Sequence, residues 1–187
     1  MVDTDELEYL QTAEDLRSLN EYFLHDRAIR WLEVNRQRVI GNHHFAEASY
    51  ECLKLYRDGY FIATVMMTQS VAEGIRKFVL ERNAISLPSD KWSEQINALL
   101  DQSLISLDCA QAFRQIAESY RNDVHHMNPQ VSVVPFDDLA KRNIEDLACI
   151  EREVFGFRVE NGAHLPTFPQ YWDSNGDGTV GAFLRIV

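Results

Sequence analysis

Residues 60–82 read YFIATVMMTQSVAEGIRKFVLER, and this stretch decides the fold. Phe61, Ile62, Val65, Met66, Met67, Val71, Ala72, Ile75, Phe78, Val79 and Leu80 cover nearly every side of a helix in its first half. A helix that is apolar all round lies at the centre of a bundle. Upstream, Phe45, Ala48, Cys52, Leu55 and Tyr56 repeat at three and four residues between breaks at Gly41-Asn42 and Asp58-Gly59, which predicts a shorter helix. Further upstream, Leu7, Leu10, Leu16 and Leu19 and then Phe23, Ile29, Trp31, Leu32 and Val39 predict two helices, or one broken helix, running up to Gly41. Downstream, Ser89-Asp90 caps a helix carrying Trp92, Ile96, Leu99 and Leu100. Leu107-Asp108 opens another, through Ala110, Phe113, Ile116, Ala117 and Tyr120, with Arg121 to His126 at its end. Asn128-Pro129 breaks the chain, Val131 to Pro135 reads as an extended connection, and Phe136 starts a last helix reaching about Val154. Beyond Gly156 the pattern alternates, Asn161-Gly162 is a hairpin pair, and Tyr171, Trp172, Val180, Phe183, Leu184 and Ile186 suggest short strands. The expectation is a mostly α protein: an acidic helical extension at 1–43, a helical bundle at 44–155 and a small β-rich tail at 156–187.

At 187 residues, 45% hydrophobic and 25% charged, the chain supports one core. No run of about 18 apolar residues occurs, and the acidic MVDTDELEYL start has no apolar segment, so neither a membrane span nor a secretory signal is expected and the cytoplasm is the expected compartment. Cys52, Cys109 and Cys149 are too few and too scattered for a disulfide framework or a CxxC metal site. A net charge of −11 argues against a protein that holds nucleic acid by a general positive field. Seven acids against Arg17 alone place −6 of that charge in residues 1–21, so Arg27, Arg30, Arg36 and Arg38 can still make a local positive surface.

Arg121-Asn122-Asp123-Val124-His125-His126 concentrates the most chemistry in the chain. A guanidinium fork binds phosphate bidentately, an amide both donates and accepts, and an imidazole titrates near neutrality, which are the groups that phosphodiester cleavage without a metal requires. On an ideal helix Arg121 shares a face with His125, whereas Arg121 and His126 are five apart and diverge, so their convergence requires the helix to end or distort within the segment. Composition alone fits an inert alternative better than catalysis: basic residues meeting the negative end of a helix dipole.

Two segments resemble the HEPN superfamily, the helical domains of many prokaryotic RNA-cleaving toxins and defence proteins. Arg121, Asn122 and His126, following FRQIAESY at 113–120, match its arginine–polar–histidine signature; Gly59-Tyr60-Phe61 through Ser70 to Arg76, with the internal acid Glu73, matches its aromatic-led apolar helix. The likeness covers about residues 44–155. It implies a homodimer in which two Arg–polar–His sets line one cleft and cleave RNA without a metal or other cofactor, in a toxin or antiviral-defence setting. Some relatives carry a tyrosine two places after the histidine, the target of a nucleotidyltransferase antitoxin; Asn128 stands there, which puts that kind of neutralising partner in doubt.

The resemblance assigns roles: His126 to proton transfer, Arg121 to the scissile phosphate, Asn122 to orienting either group, and His125 and Glu73 as auxiliaries. Glu73, on the apolar helix, needs a partner, with Arg76 or Arg121 as candidates. The other reading is a non-catalytic module of the same fold that binds nucleotide or RNA, or mediates protein association. A metal site from His43-His44 with His125-His126 is disfavoured, because neighbouring histidines point apart. Asp173-Ser-Asn-Gly-Asp-Gly178 copies half of a calcium loop, but Leu184 replaces the final bidentate Glu, so a polar turn between two strands is the better reading, with weak calcium binding as a minor alternative.

Overall fold

A computed structural model of the protein describes residues 4–87, 89–120, 123–124, 126, 128–173, 176 and 179–186. Helix α1 is Thr4–Glu33, strand β1 Val39–Gly41, α2 Ala46–Asp58, α3 Phe61–Arg82, α4 Trp92–Asp101, α5 Leu107–Ala117, α6 Phe136–Val154, β2 Phe157–Glu160, β3 Ala163–Pro166 and β4 Ala182–Leu184. The protein is mostly helical, and α3 is central: it packs against α2, α5 and α6 and touches α4. Val65, Val71, Ala72, Ile75 and Val79 of α3 are buried against Phe113 and Ile116 of α5 and Ile144, Leu147 and Ile150 of α6 in one core. Gly59 ends α2 with a φ of 84°, and its N–H and that of Tyr60 return to the carbonyls of Tyr56 and Leu55. Only a residue without a Cβ takes that conformation cheaply, which is why the α2–α3 corner was legible in the sequence. No helix among the described residues is long and apolar enough to cross a membrane.

Four local expectations are corrected. The N-terminal segment is one unbroken helix that stops at Glu33, and Val39 belongs to a strand rather than to a helix. Strand β1 pairs antiparallel with β4, Ile40 opposite Phe183, so its partner lies some 140 residues away and no local signal announces it. The connection before α6 is a 3-10 turn over Pro129–Val133 rather than extended chain, with proline at its first position, where a missing N–H costs nothing. Helix α4 begins after Lys91, and Ser89 instead offers its hydroxyl to the Lys91 N–H and its carbonyl to Gln95. The expected hairpin is present: β2 and β3 pair around Asn161 and Gly162, both at positive φ, 52° and 79°.

The tail packs onto the same core as the bundle. Tyr171 and Trp172 are buried with Phe155 and Ile40. Arg185, just past β4, is buried against Glu151 of α6 at 2.5 Å; both contact Ser49 of α2, and Arg185 also donates to the Gln37 carbonyl. This charge pair joins the tail, α2, α6 and the approach to β1.

Candidate active site

Helix α5 is started by Ser106, whose hydroxyl accepts from the Cys109 N–H, and Ser106 is itself held by both oxygens of Glu153. The helix ends at Ala117, short of the Arg–polar–His segment it was expected to include. Tyr120 then adopts a φ of 34°, a left-handed conformation that costs a non-glycine residue free energy and persists only where the surroundings impose it. The Val124 N–H returns to the Tyr120 carbonyl at 2.9 Å, and Val124 is buried, so a new helical turn opens immediately after the break.

What imposes the break is a buried polar knot. Gln69 of α3 donates its amide to the Ile116 carbonyl at 3.1 Å, to the Ser119 hydroxyl at 2.9 Å and to the Ser119 carbonyl. Asn143 of α6 donates to the same hydroxyl and to Thr68, each at 3.1 Å, while the Ser119 hydroxyl donates to the Ile116 carbonyl at 2.6 Å. Thr68, Gln69, Ser119 and Asn143 are all buried. The last carbonyls of a helix lack intrahelical partners, and here the Gln69 amide supplies donors to the Ile116 and Ser119 carbonyls while Asn143 holds the Ser119 hydroxyl, which fixes where α5 stops. The acceptors Gln69 Oε1 and Asn143 Oδ1 meet no donor among the described residues. Periodicity reads these positions as gaps in an apolar stripe, so sequence reasoning passed over Gln69, Ser119 and Asn143; polar residues at core positions of two adjacent helices were the available signal.

The far side of the segment is held by Asp123. Its carboxylate accepts from the side-chain amides of Asn128 at 2.9 Å and Gln130 at 2.5 Å, and its carbonyl accepts the Asn128 N–H. His126 stands in the turn between Val124 and Asn128 and is exposed. Arg121, Asn122 and His125 lie outside the described residues. Of the expected set, His126 and Glu73 are therefore the members that can be placed.

Glu73 forms an ion pair with Lys77, one turn along α3, at 2.6 Å, and its charge also acts on the Arg76 guanidinium. Arg76 is turned inward, its guanidinium 4.7 Å from the Trp92 ring centre, and burial lowers its pKa from the usual arginine value. His43 is packed among Phe45, Phe78 and Phe155, with Nε2 2.8 Å from the Tyr171 carbonyl and Nδ1 3.4 Å from Asp173. Asp173 also binds Arg82, and its carbonyl accepts from Gly181, so the chain here is tied to α3 and to the start of β4. This loop connects strands of two different sheets, β3 and β4, rather than a pair of neighbours; Ser174, Asn175, Asp177 and Gly178 lie outside the described residues. Among those described, no three His, Cys, Asp or Glu side chains gather closely enough to hold a metal ion. Comparison of the chain with protein-family models, with curated proteins and with solved structures gave no match.

Proposed function

We propose that the segment from Arg121 to His126 is the centre of a metal-independent endoribonuclease of HEPN type, working as a homodimer. The observation that carries this reading is the enforced break at Ser119-Tyr120. On a continuous helix Arg121 and His126 would point about 140° apart, because each residue turns the chain by about 100°. With α5 ended at Ala117 and Tyr120 left-handed, the segment does not continue that helix, and His126 lies in a turn rather than among the helical residues Asp123 and Val124, so the continuous-helix angle does not govern it. Buried polar networks and strained backbone are costly, and such features concentrate where function requires them.

In this mechanism Arg121 holds the scissile phosphate through two parallel N–H bonds and stabilises the charge that grows on its oxygens during in-line attack. His126, exposed at the surface, takes the proton from the RNA 2′-hydroxyl or returns one to the leaving 5′-oxygen. Attack of the 2′-oxygen on phosphorus breaks the bond to the 5′-oxygen and leaves a 2′,3′-cyclic phosphate. Asn122 orients the phosphate or the imidazole. A second copy supplies the second histidine, so that one imidazole acts as base while the other acts as acid.

The test is incubation of the purified protein with RNA in EDTA, reading fragment ends. Cyclic-phosphate ends are expected, and Arg121→Ala and His126→Ala should each slow cleavage by on the order of 10²-fold or more while leaving the fold intact. Absence of cleavage by the unaltered protein, or cleavage that persists in both variants, would reject the assignment.

A further inference from the structure

Helix α1 exposes more large apolar side chains than any other element, and it packs on the body through α2 near its C-terminal end, where Arg27, Arg30, Trp31 and Val34 become half-buried or buried. The face that meets the body there continues towards the N-terminus with nothing beneath it: Tyr9 is 71% exposed, Leu16 61%, Leu19 54% and Phe23 37%. A helix of 30 residues is about 45 Å long, so this stripe is a lengthy surface.

Its order of chemistry is specific. Along one face run Asp5, Glu8, Thr12, Leu16, Leu19, Phe23, Arg27 and Arg30, in steps of 3, 4, 4, 3, 4, 4 and 3. The spacing is the same read from either end, while the charge is not: acids lie at one end, apolar residues in the middle and arginines at the other. Turned end for end, the stripe offers its own complement. A two-fold axis between Arg17 and Ser18 sets Leu16 opposite Leu19, Thr12 opposite Phe23, Glu8 opposite Arg27 and Asp5 opposite Arg30 of a second copy.

We infer that α1 is a homodimerisation arm, pairing antiparallel with α1 of a second copy in this register. The arginine end is already positioned for it. Arg27 lies 3.2 Å from Asp58 and donates to Asn20, and Arg30 donates its Nε to the Arg57 carbonyl at 2.8 Å with its guanidinium 5.7 Å from the Phe61 ring centre, so both are held in place at the body end of the stripe. Exposed Tyr60 and Ile62 follow where α2 ends, and they extend the apolar surface onto which the second copy's acidic end would run. Antiparallel packing also sets the two helix dipoles in opposition, which favours the pair. The net −6 of residues 1–21 turns a lipid headgroup surface or a nucleic acid away from the same stripe. Closed two-fold pairing through one shared patch is the commonest way such a surface is covered. This inference needs nothing of the cleavage chemistry, and its test reads mass and cross-linking rather than activity.

The experiment is size-exclusion chromatography with light scattering on the full chain at micromolar concentration. Twice the chain mass is expected, and Leu16→Glu/Leu19→Glu should weaken association by at least about 100-fold and give the single-chain mass. Because both side chains are exposed, the thermal transition of the bundle should be kept in that variant. Separately tagged Leu16→Cys and Leu19→Cys proteins, mixed and oxidised, should cross-link to each other far better than either does to itself. A monomeric wild type, a dimer that survives the double glutamate variant, or preferential Leu16→Cys self-linkage would each overturn the proposal.

Discussion

Replacing Gln69 by leucine tests whether the polar knot holds the end of α5. The substitution keeps the side chain's approximate volume and removes an amide that serves the Ile116 carbonyl, the Ser119 carbonyl and the Ser119 hydroxyl. The Ile116 carbonyl keeps the Ser119 hydroxyl as donor, so among the described residues the Ser119 carbonyl is the group left without a side-chain donor. Two N–H donors shared among three acceptors, at about 1 kcal/mol each, plus about 1 kcal/mol for that orphan, set against about 1–2 kcal/mol recovered by removing the unpartnered Oε1, leave a net loss of roughly 1–2 kcal/mol. For a chain of this size that corresponds to a fall in Tm of about 2–8 °C. Urea unfolding should give the same difference with an unchanged slope. The loss should be localised, with faster amide exchange at Val124, whose N–H depends on the Tyr120 turn, and unchanged exchange in the middle of α3. A stability change below about 0.5 kcal/mol, or uniform exchange acceleration across the bundle, would refute the claim that this network positions the break.

Other consequences are equally direct. Arg185→Ala should cost about 3–5 kcal/mol in denaturant unfolding, because it strands the buried Glu151 carboxylate, whereas Arg185→Met/Glu151→Leu should recover most of it; a double variant no better than the single would deny the pairing its role. Burial pushes the Asp146 carboxyl up to about 6, outweighing the opposing pull of Arg142. Since its folded pKa lies above that of the unfolded chain, its stabilising contribution is full below about pH 4 and is lost as pH rises through 6. Asp146→Asn should therefore stabilise the protein by roughly 1 kcal/mol at pH 7 and not at pH 4, and equal effects at both would contradict the burial argument. Thiol titration of the native protein should modify Cys149 first. Cys52 and Cys109 are fully buried and burial raises both thiols well above the ordinary value, so their labelling at the same rate as Cys149 would show that the core opens readily.

The sequence alone determined what depends on neighbours along the chain. The apolar run at 60–82 made α3 a central helix, Gly59 supplied the left-handed cap of α2, Asn161-Gly162 supplied the hairpin turn, and Pro135-Phe136 opened α6. Each is a local preference of backbone or burial, expressed within a few residues. Only the tertiary structure decided what depends on partners remote in sequence. Strand β1 exists because β4 comes back to it, and α5 stops at Ala117 because Gln69 reaches the Ile116 carbonyl from α3 and Asn143 holds the Ser119 hydroxyl from α6. Likewise, the leucines whose spacing predicted helix in α1 are exposed, because nothing in a helix's own spacing states what its apolar stripe meets.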